Sequence, residues 1–271
     1  MIKIDQVKKT FNRGKKIVLD NISFQINDGE SVAILGGNGA GKTTLLEIIA
    51  GVLTPEDGRV YFVDSENDSK INKNLSELEE VNIKNKQSNK KLKNKEWLLK
   101  EDLEKNVGFQ FQNGKWPFNT RGIDLLNFFG TKNWKSNEYI NMLIDVFEVN
   151  EIIKKRLNKC SGGEQQRFNC LLSIINKPKI LILDELITGL DLKMQIKLIN
   201  FFKELKKSEN ITLIIVSHVP EEVEALSERI ILLREGRIYL DDSVDNIKSK
   251  YKSVRELLTQ FYASESENYE K

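Results

Sequence analysis

The chain has 271 residues, with 42 Lys+Arg against 40 Asp+Glu, so its net charge is +2 and no global basic field draws it to nucleic acid. Two cysteines, Cys160 and Cys170, do not make a disulfide framework, and a single histidine, His218, excludes a histidine-rich metal site. No apolar run reaches membrane-spanning length; residues 180–183 and 213–216 are strand-sized. The size suits one large domain or one domain with a lobe. Residues 1–5 alternate like a strand without a signal-like apolar stretch, so a cytoplasmic protein without a membrane segment is expected.

Residues 2–11 and 17–26 read as two strands joined by the polar turn Asn12-Arg13-Gly14-Lys15, with partial alternation at Val18, Ile22, Phe24 and Ile26. Phe11 ends the first strand, where an aromatic serves ordinary packing as readily as a ligand. Ser31-Val32-Ala33-Ile34-Leu35 is a buried-strand pattern, and residues 44–50 follow a helical one. Between them, Gly36-Gly37-Asn38-Gly39-Ala40-Gly41-Lys42-Thr43-Thr44 fits the phosphate-loop pattern G-x-x-x-x-G-K-[ST] without a mismatch. Glycines let the backbone curl with its N–H groups inward, and the helix N-terminus adds a positive dipole end. Lys42 would reach the β- and γ-phosphates of a nucleoside triphosphate, and the Thr43 hydroxyl would bind Mg²⁺. A plain glycine turn would explain the glycines but not Lys-Thr at the helix start.

After a strand over 59–63 the composition shifts. Residues 64–106 are rich in Lys, Asn, Glu and Ser, with Lys84, Lys86, Lys90, Lys91, Lys93 and Lys95 clustered. Such a cluster can serve as a basic patch for phosphate or anionic lipid. Glu77, Glu79 and Glu80 nearly cancel it, which favours a solvated insertion, with a short helix over 96–105 carrying Trp97, Leu98 and Leu99. Residues 107–112 are strand-like and end on Gln112; 113–158 read as helix with loops, opening on the aromatic turn Trp116-Pro117-Phe118. Ser161-Gly162-Gly163-Glu164-Gln165-Gln166-Arg167 heads a helix whose apolar face is Phe168, Leu171, Leu172 and Ile175. The strand over 180–183 ends on Asp184 and Glu185. A helix over 192–206, a strand over 212–216, Ser217-His218, strands over 229–234 and 236–240, helices over 244–251 and 253–262, and a polar tail complete the chain.

Strands alternating with helices imply an α/β fold with a largely parallel sheet, whose ligands sit at the carboxyl ends of strands. The phosphate loop, Gln112, Asp184-Glu185 and His218 all follow strand-like runs. Asp184 would sit beside Mg²⁺, and Glu185 would polarise the attacking water as general base. Alone, an Asp-Glu pair is equally well a helix cap with a first-turn acid. Ser161-Gly162-Gly163-Glu164 is a second anion site by the same dipole logic and also a capped helix start. Lacking a lysine, it cannot hold a triphosphate by itself, which suggests that one chain's second site completes another chain's first.

These motifs, in this order, resemble those of an ATP-binding cassette (ABC) ATPase, the motor subunit of ABC transporters. The resemblance runs from Phe11 to His218, with the family-like sheet continuing to about Leu240. It comprises Walker A at 36–44, the glutamine loop at Gln112, the signature Ser161-Gly162-Gly163-Glu164-Gln165, Walker B at 180–185, the D-loop Gly189-Leu190-Asp191 and the switch histidine His218. It implies a P-loop fold of ABC type: a mixed-sheet core with an N-terminal antiparallel part and a helical subdomain. The core would occupy 1–112 and 177–240, the subdomain 113–176 and a C-terminal extension 241–271. Residues 36–44, Phe11 (stacked on adenine), Ser161, Gly162, Gly163, Glu164 and Asp191 would bind ATP. Thr43, Gln112 and Asp184 would hold Mg²⁺, and Lys42, Gln112, Glu185 and His218 would serve hydrolysis. Implied partners are a second copy or a homologous ATPase subunit and a separate integral membrane permease at the inner face of the cell membrane, with no nucleic acid. The C-terminal stretch resembles motor subunits of bacterial exporters, so export is expected. The rival reading is an ABC ATPase that remodels a non-membrane partner. Two positions depart from the family pattern: Cys160 stands where leucine precedes the signature, and Leu186 where proline follows Walker B.

Overall fold

The structure, a computed structural model, describes residues 1–12, 14–62, 106–110, 116–130 and 133–269, the last five by backbone alone. The charged insertion, its expected helix over 96–105, and Gln112 lie outside the described residues. Three strands, β1 (Ile2–Phe11), β2 (Lys16–Ile26) and β4 (Asp57–Phe62), pair antiparallel in the order β2-β1-β4. Among the described residues a second sheet, of six strands, runs β5-β6-β7-β3-β8-β9, from β3 (Ser31–Gly36), β5 (Val107–Gln110), β6 (Ile180–Asp184), β7 (Thr212–Val216), β8 (Arg229–Arg234) and β9 (Arg237–Ser243). All its pairings are parallel except β8 with β9.

Every residue of β3, β6 and β7 is buried, as parallel strands covered on both faces must be. The two-residue period divides their side chains. Ile180, Ile182, Ile214, Val32 and Ile34 pack toward the antiparallel sheet and helix α1 (Lys42–Ile49). On the other face, Leu181, Leu183, Leu213 and Ile215 meet the helical part of the chain. That part comprises α2 (Gly122–Phe129), α3 (Glu138–Val146), α4 (Gly162–Ile174) and α5 (Leu192–Glu209). Farther along the same face, Ala33, Leu35, Ile230 and Leu232 are covered by α6 (Pro220–Leu226), α7 (Val244–Tyr251) and α8 (Val254–Tyr269).

The sequence pattern places most of these elements to within a few residues, with one extension and one omission: α8 runs on to Tyr269, through the stretch expected as a polar tail. Helix α6, directly after His218, is missed, although Pro220 at its first turn and the acids Glu221 and Glu222 are start signals. Among the described residues of 113–158, the expected helix with loops takes the form of α2, α3 and two 3-10 turns, Trp134–Ser136 and Leu157–Lys159. Both departures from the family pattern are core residues: Leu186 is fully buried and Cys160 nearly so, its burial pushing the thiol pKa up. Among the described residues no helix is long and apolar enough to cross a membrane.

Candidate functional site

The strand order puts the ends of β6, β7 and β3 side by side, so residues far apart in the chain line one cleft of about 510 Å³. Its walls include Phe11, Lys16, Asn38, Gly39, Gly41, Lys42, Thr43, Thr44, Asp184, Glu185 and His218. The loop from Gly36 to Gly41 turns through left-handed backbone. Gly41 stands at φ 99° as the N-cap of α1, and a Cβ there would lie 2.6 Å from the Val18 carbonyl oxygen, so only glycine fits. The Lys42 ammonium donates to the carbonyl oxygens of Gly36 at 2.8 Å and Gly37 at 3.0 Å. It holds the loop closed on itself, with Thr43 and Thr44 facing the same cleft.

Asp184 ends β6 only 3% exposed. Burial pushes its carboxyl up to about 6, reinforced by Glu185 and opposed by Lys42. A buried carboxyl that resists ionisation is suited to a cation arriving with charge to match. Glu185 follows at φ 56°, and its carboxylate Oε1 lies 3.7 Å from His218 Nε2, beyond a hydrogen bond. Among the described residues no three acidic, histidine or cysteine side chains form a metal cluster. The Thr43 and Asp184 side chains that line the cleft offer oxygen donors of the kind a hard cation takes. Phe11 lies at the cleft edge, partly exposed, with the Lys9 ammonium 5.7 Å from its ring centre.

A second cleft, about 560 Å³, is lined by Ser161, Gly162, Gly163, Glu164, Gln166, Glu185, Thr188, Gly189 and Asp191. Ser161 caps α4 reciprocally: its Oγ accepts from the Glu164 amide at 3.2 Å, and Glu164 Oε2 accepts from the Ser161 amide at 2.8 Å. Asp191 caps α5, accepting from the Met194 amide at 3.1 Å. Both clefts share one residue, Glu185.

The aromatic turn after the glutamine loop divides. Trp116 packs on the helical core and donates from its indole to Asn169 Oδ1 at 2.8 Å, whereas Phe118 is 82% exposed. Phe128 on α2 is also largely exposed.

The family model described as "ABC transporter" matches residues 19–188, more than half of the chain. The chain belongs to this family. Its similarity extends to import ATP-binding proteins of several organisms. The Fe(3+) ions import ATP-binding protein FbpC of Fusobacterium nucleatum subsp. nucleatum is 32% identical over 88% of this chain and 56% of its own length. The glucose import ATP-binding protein GlcV of Saccharolobus solfataricus is 29% identical over 87% and 61%. The spermidine/putrescine import ATP-binding protein PotA of Borreliella afzelii is 30% identical over 84% and 58%. The chain thus spans a little over half the length of the curated relatives it matches. Among solved structures, an ATP binding subunit of an ABC transporter superposes with TM-score 0.74 at 17% identity, covering 96% of this chain and 98% of that one. The cassette MJ0796, a dimer bound to ADP and Pi, gives 0.69 at 23% identity, covering 90% and 98%. These confirm the ABC fold, with its antiparallel N-terminal strands and helical part. The relatives named above are import proteins, so the expectation of export draws no support from them.

Proposed function

We propose that this chain is the ATP-hydrolysing motor subunit of an ABC transporter, working as a dimer around two Mg-ATP and driving a separate membrane permease. One observation carries the reading: a single cleft is lined by the phosphate loop of β3, the Asp184-Glu185 pair of β6 and the His218 that follows β7. ATP would seat its phosphates on the loop amides, with Lys42 leaving the Gly36 and Gly37 carbonyls for the β- and γ-phosphates and Phe11 stacking on adenine. Mg²⁺ on Thr43 and Asp184, with Gln112 proposed beside them, would offset phosphate charge. Water oxygen bonds to the γ-phosphorus as the bond to the bridging oxygen breaks; ADP leaves and Glu185 takes the water proton. His218, beside Glu185, would hold the γ-phosphate.

Ser161, Gly162, Gly163, Glu164 and Asp191 would close over the nucleotide of a second subunit, and exposed Phe118 and Phe128 would meet the permease. Import is favoured over export by the names of the relatives; the cargo they name differs from one to the next. The helical part over 113–176 would be the permease-facing lobe, and the assembly would sit at the inner face of the cell membrane. The test has two parts. Glu185→Gln should bind ATP yet hydrolyse it slower by about 10²-fold or more. A tagged chain should recover a multi-span protein at comparable stoichiometry from detergent-solubilised membranes. Recovery of non-membrane partners alone would replace the transporter reading with that of a remodelling ATPase.

A further inference from the structure

The turn that carries Glu185 is gripped from outside its own strand. At φ 56° this residue occupies the left-handed region, which its Cβ disfavours, so neighbouring groups must hold it there. On one side the Glu185 amide donates to the Val216 carbonyl of β7 at 2.8 Å. On the other, Gln166 of α4 donates from Nε2 to the Glu185 carbonyl at 2.6 Å and to the Leu186 carbonyl at 3.3 Å. A third amide, Gln110 of β5, donates to the Asp184 carbonyl at 3.3 Å. Three successive carbonyls of the catalytic turn are thereby fixed by two glutamine side chains.

Gln166 differs from Gln110 in where it comes from. It lies five residues after Ser161 on the same helix, so the group that grips Glu185 is borne by the element whose N-terminus forms the second cleft. Backbone dihedrals set the direction of Cβ. A change of Glu185 to right-handed backbone would redirect its Cβ and so move its carboxylate from its present place 3.7 Å from His218. A grip on two carbonyls needs a donor, which glutamine supplies and glutamate or methionine of similar length does not. The helix is anchored independently of this contact, through fully buried Phe168, Cys170 and Leu171 and through Arg167, which donates to the carbonyls of Phe147 and Glu148. Losing the Gln166 amide therefore leaves the core of α4 intact.

We propose that Gln166 is a positioning residue for hydrolysis: it locks Glu185 in left-handed backbone with its carboxylate facing the phosphate cleft, and ties that carboxylate to the helix headed by Ser161. The inference rests on the reading of Glu185 as the base. The experiment compares the full chain with Gln166→Met, Gln166→Glu, Glu185→Gln and the double variant Glu185→Gln/Gln166→Met. Steady-state ATPase, equilibrium ATP binding and thermal unfolding are measured on each. Gln166→Met should lower kcat by about tenfold or more, with KM and ATP affinity within about twofold. Gln166→Glu, which adds repulsion between its carboxylate and the two carbonyls, should be slower still. The double variant should be no slower than Glu185→Gln, because both changes remove one function. Near-normal turnover in Gln166→Met beside a slow Glu185→Gln would overturn the proposal and leave the base reading standing. Near-normal turnover in Glu185→Gln would overturn both. Equal losses of kcat, ATP affinity and Tm in Gln166→Met would make its role one of packing and likewise overturn the proposal.

Discussion

Replacing Glu222 by glutamine should change how the stability of this protein responds to pH. Glu222 lies on α6, four residues past His218, and is 0% exposed. Its Oε2 accepts from Ser217 Oγ at 2.6 Å, while Oε1 is buried without a hydrogen-bond partner among the described residues. Ser217 Oγ in turn accepts from the Val219 amide at 3.0 Å, so this contact fixes both neighbours of His218. Burial pushes the Glu222 carboxyl from an ordinary 4.5 up to about 7, against the Ser217 hydroxyl and with a further push from Glu185. The folded state thus holds this proton more tightly than the unfolded chain does. Its contribution to stability is complete below about pH 4.5 and is lost as pH rises through about 7. At 1.36 kcal/mol per pKa unit, the loss approaches about 3 kcal/mol as an upper bound. The side-chain amide of Glu222→Gln cannot ionise. It also places an NH₂ where Oε1 has no partner, or loses the Ser217 contact, at a constant cost of about 1–3 kcal/mol. Urea unfolding of both proteins at several pH values from 5 to 8 separates the two effects. The difference in stability, variant minus parent, should rise with pH by up to about 3 kcal/mol. The raised carboxyl of Asp184 is present in both proteins and drops out of the difference. Parallel curves across that range would refute the argument that burial dominates at Glu222.

Three further outcomes follow from the geometry. Lys42→Ala removes the ammonium now held by two loop carbonyls and should weaken ATP binding by about 10- to 100-fold in an equilibrium titration. Ser161→Arg, placed in the Glu185→Gln background with saturating Mg-ATP, should run as a monomer on size-exclusion chromatography where the parent runs as a dimer. Gly108→Ala would put a Cβ 1.9 Å from the Ser173 carbonyl oxygen and 2.7 Å from Pro178 Cγ, so β5 must separate from α4. Thermal unfolding should show a loss of about 3 kcal/mol or more.

Much of the site is legible in the chain because its parts carry local chemistry. A phosphate loop needs its glycines and Lys-Thr at fixed spacing, and beside such a loop a buried strand ending in Asp-Glu reads as more than a helix cap, which is why the roles proposed for that pair could be drawn from the chain itself. The residues that hold those groups in place leave a weaker mark. Gln166 is one of two adjacent glutamines in the signature run, and only the approach of α4 to the end of β6 distinguishes it from Gln165, which donates to Cys160. Glu222 reads as one acid among several in a polar stretch, and its burial depends on how α6 packs under the sheet. That helix is short, and its Pro-Glu-Glu start is the one local clue. Trp116 and Phe118, two residues apart, have opposite surroundings, core and solvent, because a turn has no period to separate them.

The strand order has a consequence for how the protein acquires its activity. β3 pairs with β7, about 180 residues later, and with β8 beyond that, while β6 reaches it only through β7. Neighbours so distant in sequence close large loops of chain before any contact rewards them, which makes such sheets slow to form. A folding chain can shape the phosphate loop early, since that loop is local to β3 and α1. It cannot set Asp184, Glu185 and His218 opposite the loop until β6 and β7 have docked. Nucleotide affinity is therefore a late marker of folding. A partly folded chain offers ATP only a glycine loop, and ligand added during refolding stabilises the completed sheet over earlier species by mass action.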